Sequence, residues 1–156
     1  MIRILFICHG NICRSAAAEM IAKDLADKAG LGGRLAFSSA AATTEEIGND
    51  IYPPMKRVLI GHGVPCPPRA ARQTVRRDYD AYDYLIGMDE ENLWDMRRIY
   101  GGDPDGKISL MMDWAGLSGR EVSDPWYTRD FERAYRDIVK GCEGLIAALE
   151  KRGGSH

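Results

Sequence analysis

Cys8-His9-Gly10-Asn11-Ile12-Cys13-Arg14-Ser15 is the stretch on which the reading of this chain turns. It follows Ile2 to Ile7, a short, β-branched, almost wholly apolar run suited to a strand buried on both faces. It leads into Ser15 to Ala29, where Ala17, Ala18, Ile21, Leu25 and Ala29 share one helical face and Gly30 provides a stop. A thiol and a guanidinium therefore bracket five residues between a strand and a helix. A tight loop of this length can curl so that its backbone N–H groups converge on one anion, and Gly10 lets the chain bend without a Cβ clash. The following helix adds its free N–H groups and the positive end of its dipole. Arg14 can grip two phosphate oxygens with its planar fork. Positive surroundings of this kind bring activated thiols from about 8.5 down to between about 3.5 and 7.5. The loop can thus bind a phosphoryl group and present a nucleophile to it. A C-x5-R spacing alone recurs by chance, with a buried structural cysteine and an ordinary turn as its bland meaning. The strand before it, the helix after it and Ser15 tip the balance. Ser15 can cap the helix or donate to the Cys8 sulfur, and the two roles are compatible.

Working outward, strand and helix patterns alternate. Leu35 to Ser39 is a second strand, and Pro53-Pro54 opens a helix through Met55, Val58 and Leu59 that ends near Gly61 to Gly63. Tyr82 to Met88 reads as a third strand, with Asp89 as N-cap of a helix running to Tyr100-Gly101. Lys107 to Met112 is a fourth strand. Phe131, Tyr135, Ile138, Val139, Cys142, Leu145, Ile146 and Leu149 then define the strongest helix of the chain. The pattern predicts an α/β fold: an open four-stranded parallel sheet with helices on both faces and a phosphate-binding loop after the first strand. Ligands of such sheets sit beyond the carboxyl ends of the strands. At 156 residues the chain suits one domain, assigned to 1–152, with 153–156 as a flexible tail.

Composition narrows the function classes. Apolar residues make up 45% and charged residues 28%, which excludes wholesale disorder. A formal charge of -2 offers no general field for nucleic acid or anionic membrane, so neither is expected as a partner. The opening apolar run is too short for a signal peptide or membrane span. Four scattered cysteines do not make a disulfide framework, and they read as reduced thiols of a cytoplasmic protein.

Cys-His-Gly-Asn-Ile-Cys-Arg-Ser, placed this near the N-terminus, resembles the low-molecular-weight protein tyrosine phosphatases. The resemblance extends through Ser38-Ser39-Ala40-Ala41, Ala71-Arg72-Gln73, Met88-Asp89-Glu90-Glu91-Asn92-Leu93 and Asp124-Pro125-Trp126-Tyr127, in family order and spacing. It implies Cys8 as nucleophile and Arg14 as phosphate clamp. His9, Gly10, Asn11, Ile12, Cys13 and Ser15 line the phosphate site, with Asn11, Ser15 and Ser39 as a network shaping the loop. It also suggests a reversible Cys8–Cys13 disulfide that guards the nucleophile. Cys66 and Cys142 are structural, and no zinc site is expected, because Cys8 and Cys13 lack a second ligand pair at suitable spacing. The implied partners are phosphotyrosine proteins, with phosphate-like oxyanions as inhibitors, no cofactor, and a monomer or weak dimer.

Expelling an aryloxide requires an acid. Asp103-Pro104 lies in a glycine-rich turn at the wrong edge of the sheet, whereas Asp124-Pro125 matches the family's acid loop, so Asp124 is the expected acid. The implied reaction passes through a phosphocysteine, with a bell-shaped rate–pH profile. Trp126 and Tyr127 either wall a phenyl ring or anchor the acid loop. Ile12 stands where phosphoarginine-directed relatives tend to carry Thr, which favours phosphotyrosine. Glu45 stands where eukaryotic relatives often place an aromatic residue, and a carboxylate there repels acidic phosphopeptides. Ala16 replaces a usual proline and His9 is a permitted variant. Arg69, Arg72, Arg76 and Arg77 read as a solvated basic patch, or as a docking patch for acidic partners. The rivals are a phosphoarginine phosphatase, a silent phosphoprotein-binding module, which would be expected to lose Cys8 or Asp124, and an arsenate reductase. The last resembles a relay through two further cysteines, and Gln73 to Arg98 contains none.

Overall fold

Residues 1–153 are described in the computed structural model of the chain; of the expected tail, Gly153 closes the last helix, and 154–156 lie outside the described residues. Strands β1 (Ile2–Cys8), β2 (Leu35–Ala41), β3 (Tyr84–Gly87) and β4 (Ile108–Leu110) form the anticipated parallel sheet, in the order β2-β1-β3-β4. The central strand β1 pairs on both sides, and its apolar run is buried because both of its faces are covered. Ile4, Phe6 and Cys8 pack into the layer of α1 (Arg14–Lys28), α2 (Pro53–Gly61) and α6 (Phe131–Gly153). Leu5 and Ile7 face the opposite layer, built from α3 (Asp78–Ala81) and α4 (Glu90–Tyr100). Helices therefore cover both faces, as the pattern requires.

Several boundaries differ from the sequence pattern for local reasons. β2 runs on through Ala41, held in register with Cys8. β3 starts two residues later than expected, since Tyr82 caps α3 and Asp83 exchanges hydrogen bonds of 2.8 Å with the Arg3 backbone. β4 stops at Leu110, because the Asp113 carboxylate accepts the Leu110 N–H at 3.0 Å and draws the chain into a 3₁₀ turn, Met111–Ala115. The four-residue helices α3 and α5 (Pro125–Thr128) are too short to show a period. α6 lies directly on the 3₁₀ turn through Gly141 and Gly144: a Cβ at Gly144 would collide with the Trp114 carbonyl. No helix among the described residues is long and apolar enough to cross a membrane.

From β1 the chain goes to β2 on one side, then returns to β3 on the other. That reversal opens a crevice at the carboxyl ends of β1 and β3. Cys8 ends β1 and Asp89 follows β3 there, whereas Asp103 sits at the other edge, accepting from the Tyr79 hydroxyl and the Lys107 N–H.

Candidate active site

The loop after β1 is held from outside by its carbonyls. Ala42 N–H donates to Cys8 O, Thr43 N–H to His9 O, Tyr52 N–H to Ile12 O and Ala17 N–H to Cys13 O, at 2.7 to 3.1 Å. None of the N–H groups from His9 through Ser15 donates to a described residue. Backbone donors without partners, gathered on a loop that opens a helix, make an anion cradle. The conformational strain falls on Asn11, at φ 59, rather than on Gly10. Asparagine is among the few side-chain-bearing residues that adopt this region readily. Gly10 instead supplies room, since a Cβ there would lie 3.2 Å from Glu46 Cγ.

Asn11 is fully buried and wired on both sides. Its Nδ2 donates to Ser15 Oγ at 2.9 Å, while its Oδ1 accepts from Arg69 Nη2 at 2.6 Å and Arg72 N–H at 3.3 Å. Ser15 Oγ accepts from Asn11 and so keeps its own proton for Cys8 Sγ, 3.0 Å away. The N-cap of α1 is Cys13, without a side-chain cap bond, which leaves Ser15 with the thiol rather than the helix end. Within the basic patch, Arg69 and Arg72 are half-buried and anchored: the Arg69 guanidinium and the Arg72 backbone N–H donate to Asn11, and the Arg72 guanidinium pairs with Asp78 at 3.0 Å, while Arg76 and Arg77 are exposed. Ser39 departs from the expected loop network as well. Its hydroxyl donates to Glu19 on α1 at 2.5 Å.

Arg14 is only 3% exposed and is fixed from three directions. Nη1 donates to Asp89 Oδ2 at 2.8 Å and to the Val122 carbonyl at 2.9 Å; Nη2 reaches Asp124 Oδ2 at 3.5 Å. Burial alone would lower the guanidinium pKa, but Cys8, Asp89 and Asp124 outweigh it and hold the value above ordinary. Asp124 itself is the N-cap of α5, accepting Trp126 N–H at 3.0 Å with Pro125 at the first helical position. Asp89 caps α4 as expected, accepting Asn92 N–H at 2.8 Å. Its second role, the grip on Arg14, was not predicted from the sequence. An acidic residue at a strand's carboxyl end was the one available signal.

Cys8, Arg14, Asp89 and Asp124 line a cleft of about 360 Å³ with His9, Gly10, Ile12, Cys13, Trp126 and Tyr127, while Asn11 and Ser15 lie buried behind it. Trp126 and Tyr127 are 56% and 83% exposed. Trp126 lies 5.8 Å from the Tyr52 ring, and Tyr52 lies 5.9 Å from Phe131, giving one aromatic wall. His9 Nε2 meets the Glu45 carboxylate at 3.1 Å on the rim. Cys8 and Cys13 are both free thiols, and burial pushes the Cys13 thiol far above its ordinary value, with Cys8 adding to the effect and Arg14 opposing it. Cys142 is buried in the core beneath α1, and Cys66 is half-buried beside the Val64 carbonyl.

Fold and site together define a parallel α/β protein with a phosphate-type loop after its first strand, a cysteine opening that loop and a carboxylate across the cleft. Residues 3–154 match the family model of low molecular weight phosphotyrosine protein phosphatases. A low molecular weight protein-tyrosine-phosphatase of Bacillus subtilis, YfkJ, is 39% identical over 97% of both chains. Its crystal structure superposes with a TM-score of 0.93, covering 97% of this chain and 96% of that one. The human low molecular weight phosphotyrosine protein phosphatase is 34% identical over 92% of each chain. The Drosophila arginine phosphatase structure gives a TM-score of 0.83 at 26% identity, over 94% of this chain and 96% of that one. The chain belongs to the low-molecular-weight protein tyrosine phosphatase family.

Proposed function

We propose that residues 1–152 form one catalytic domain that hydrolyses phosphotyrosine in proteins through a phosphocysteine. The observation that carries this reading is the run of unpartnered N–H groups from His9 to Ser15, on a loop whose Cys8 and Arg14 line one cleft. A phosphoryl group held there has its equatorial oxygens met by the amides and the guanidinium. That distribution of donors stabilises the charge developing on phosphorus. In the first step the Cys8 sulfur forms a bond to phosphorus as the bond to the tyrosyl oxygen breaks. Asp124 delivers its proton to that departing oxygen. In the second step a water adds to phosphorus, Asp124 takes its proton, the S–P bond breaks, and inorganic phosphate leaves. Ser15 steadies the sulfur in its thiolate form by donating to it, so its bond supports both the attack and the later departure.

Tyrosine as the substrate side chain is supported by the wall of Tyr52, Trp126 and Phe131, which suits a flat phenyl ring, and by Ile12. The phosphoarginine alternative rests on the likeness to the Drosophila arginine phosphatase and lacks the Thr in the loop. Cytoplasmic location, inhibition by phosphate-like oxyanions and a monomeric or weakly dimeric state belong to the same proposal. So does redox protection: peroxide oxidises Cys8 to a sulfenic acid, and Cys13 sulfur then displaces the oxygen as water, forming the Cys8–Cys13 bond.

The test is the leaving-group dependence of Asp124→Ala. With p-nitrophenyl phosphate, whose leaving group needs little protonation, the rate should fall modestly. With phosphotyrosine peptide it should fall about 10²–10⁴-fold. Equal losses on both substrates would remove Asp124 as the acid.

A further inference from the structure

Beside the catalytic cleft runs a second depression, about 570 Å³ in volume, between α2 and the start of α6. Phe131 lines both, so the aromatic wall of the cleft is also the near wall of the groove. The charges in it are unevenly committed. Its carboxylates are engaged: Glu132 meets His62 at 3.0 Å, and Asp130 caps α6 by accepting Arg133 N–H at 2.9 Å. Its two guanidiniums are not. Arg57 makes no hydrogen bond or ion pair with any described residue, and Arg129 only stacks over Trp126, 5.7 Å from the ring. Stacking uses the face of the guanidinium and leaves its N–H edge for an oxyanion. Arg129 also holds the left-handed conformation, φ 60, at the junction of α5 and α6. A side chain other than glycine or asparagine held in that region points to a positional demand.

We propose that this groove is a subsite for an acidic side chain of the substrate peptide, bound by Arg57 and Arg129 while the phosphotyrosine occupies the cleft. The proposal rests on the phosphatase reading of the cleft and adds to it a preference in the flanking sequence. The occupant is a carboxylate because the groove offers free guanidiniums and no free carboxylate. It is part of the substrate because the groove continues the cleft through Phe131. The acidic rim residues Glu45, Glu46 and Glu91, which line the cleft, are not among the groove's lining. The repulsion expected of Glu45 therefore bears on other peptide positions than the one the groove reads.

The experiment is a series of phosphotyrosine peptides with neutral flanks, each carrying a single Glu at one position on either side. Wild-type kcat/KM should rise about 1.5- to 5-fold for Glu at one or two positions, the range expected of an exposed guanidinium–carboxylate pair, and the gain should shrink with added salt. Arg57→Gln should reduce the gain while leaving p-nitrophenyl phosphate turnover unchanged, and Arg57→Gln with Arg129→Gln should abolish it. Arg57→Glu should transfer the preference at that position from Glu to Lys. A flat wild-type series, or a gain that survives in the double variant, overturns the subsite. If the wild type turns over peptides evenly and p-nitrophenyl phosphate normally, the subsite alone falls. If neither is turned over, the phosphatase reading falls and the subsite with it.

Discussion

Asp89 carries two separable duties, and two substitutions divide them. Its Oδ1 caps α4 through Asn92 N–H, and its Oδ2 holds Arg14 Nη1 at 2.8 Å. Asp89→Asn keeps a good capping side chain but removes the charge from the Arg14 contact; Asp89→Ala removes both. Loss of the cap costs about 1 kcal/mol. Breaking a buried pair can cost about 3–5 kcal/mol, but Asp89 is 19% exposed and Arg14 retains the Val122 carbonyl and Asp124. About 2 kcal/mol is therefore expected for Asp89→Asn and about 3 kcal/mol for Asp89→Ala. For a chain of this size that corresponds to melting temperatures lower by roughly 4–8 and 6–12 °C. The guanidinium would also lose its fixed orientation toward the cradle. Full loss of an oxyanion donor costs about 10²–10³ in kcat, so a misaligned one should cost about 10- to 100-fold in both variants. Thermal melts beside p-nitrophenyl phosphate kinetics give both readouts. A normal kcat in Asp89→Asn, with a stability loss confined to Asp89→Ala, would reduce Asp89 to a helix cap.

Asp78 tests the support of the loop from the far side of the arginine pair. Burial would raise its pKa, but hydrogen bonds from Arg72, Val75 N–H and Thr74, with the Arg72 charge, hold it below the ordinary carboxylate value. A lowered folded pKa gives stability that is present in full above the unfolded value, about 3.9, and is lost as pH falls through the folded one. The difference in urea midpoint between wild type and Asp78→Asn should be full at pH 7 and close progressively below about pH 4; a constant difference would contradict the assignment. Gly144→Ala should destabilise by about 3 kcal/mol or more, because a methyl there meets the Trp114 carbonyl and α6 must lift from the 3₁₀ turn. An unchanged melting temperature would show that this close approach is not required.

What the sequence disclosed depended on contiguity. Cys8, Ser15 and Arg14 fall within eight residues, so one loop carries the reasoning from spacing to chemistry. The place of Asp124 in the cleft was legible through its Pro-aromatic neighbours, and the sheet through the apolar Ile2 to Ile7 run. Contacts between remote segments were not. Arg14 and Asp89 are 75 positions apart, and Arg69 and Asn11 are 58 apart. No local pattern told that one member of a basic cluster turns its guanidinium to a loop residue while another meets the same residue through its backbone N–H. Ser39 was linked to the loop by resemblance, yet its hydroxyl is taken by Glu19 on the neighbouring helix. Nothing in the pattern of the last helix marks Gly141 and Gly144, whose small size is required by Met111 and Trp114 lying against them. The left-handed residue of the loop also escaped, because glycine is the usual candidate and asparagine fills the place here while wiring Ser15 with the same side chain.

The central claim is that Cys8 carries the phosphoryl group between two chemical steps. Acid quenching during turnover of p-nitrophenyl phosphate, followed by peptide mass spectrometry, examines that bond itself. The account predicts a phosphoryl group on the Cys8 sulfur in wild type and none on that peptide in Cys8→Ser, which should also lack turnover. Turnover without any phosphorylated Cys8 peptide, or persisting in Cys8→Ser, would contradict it.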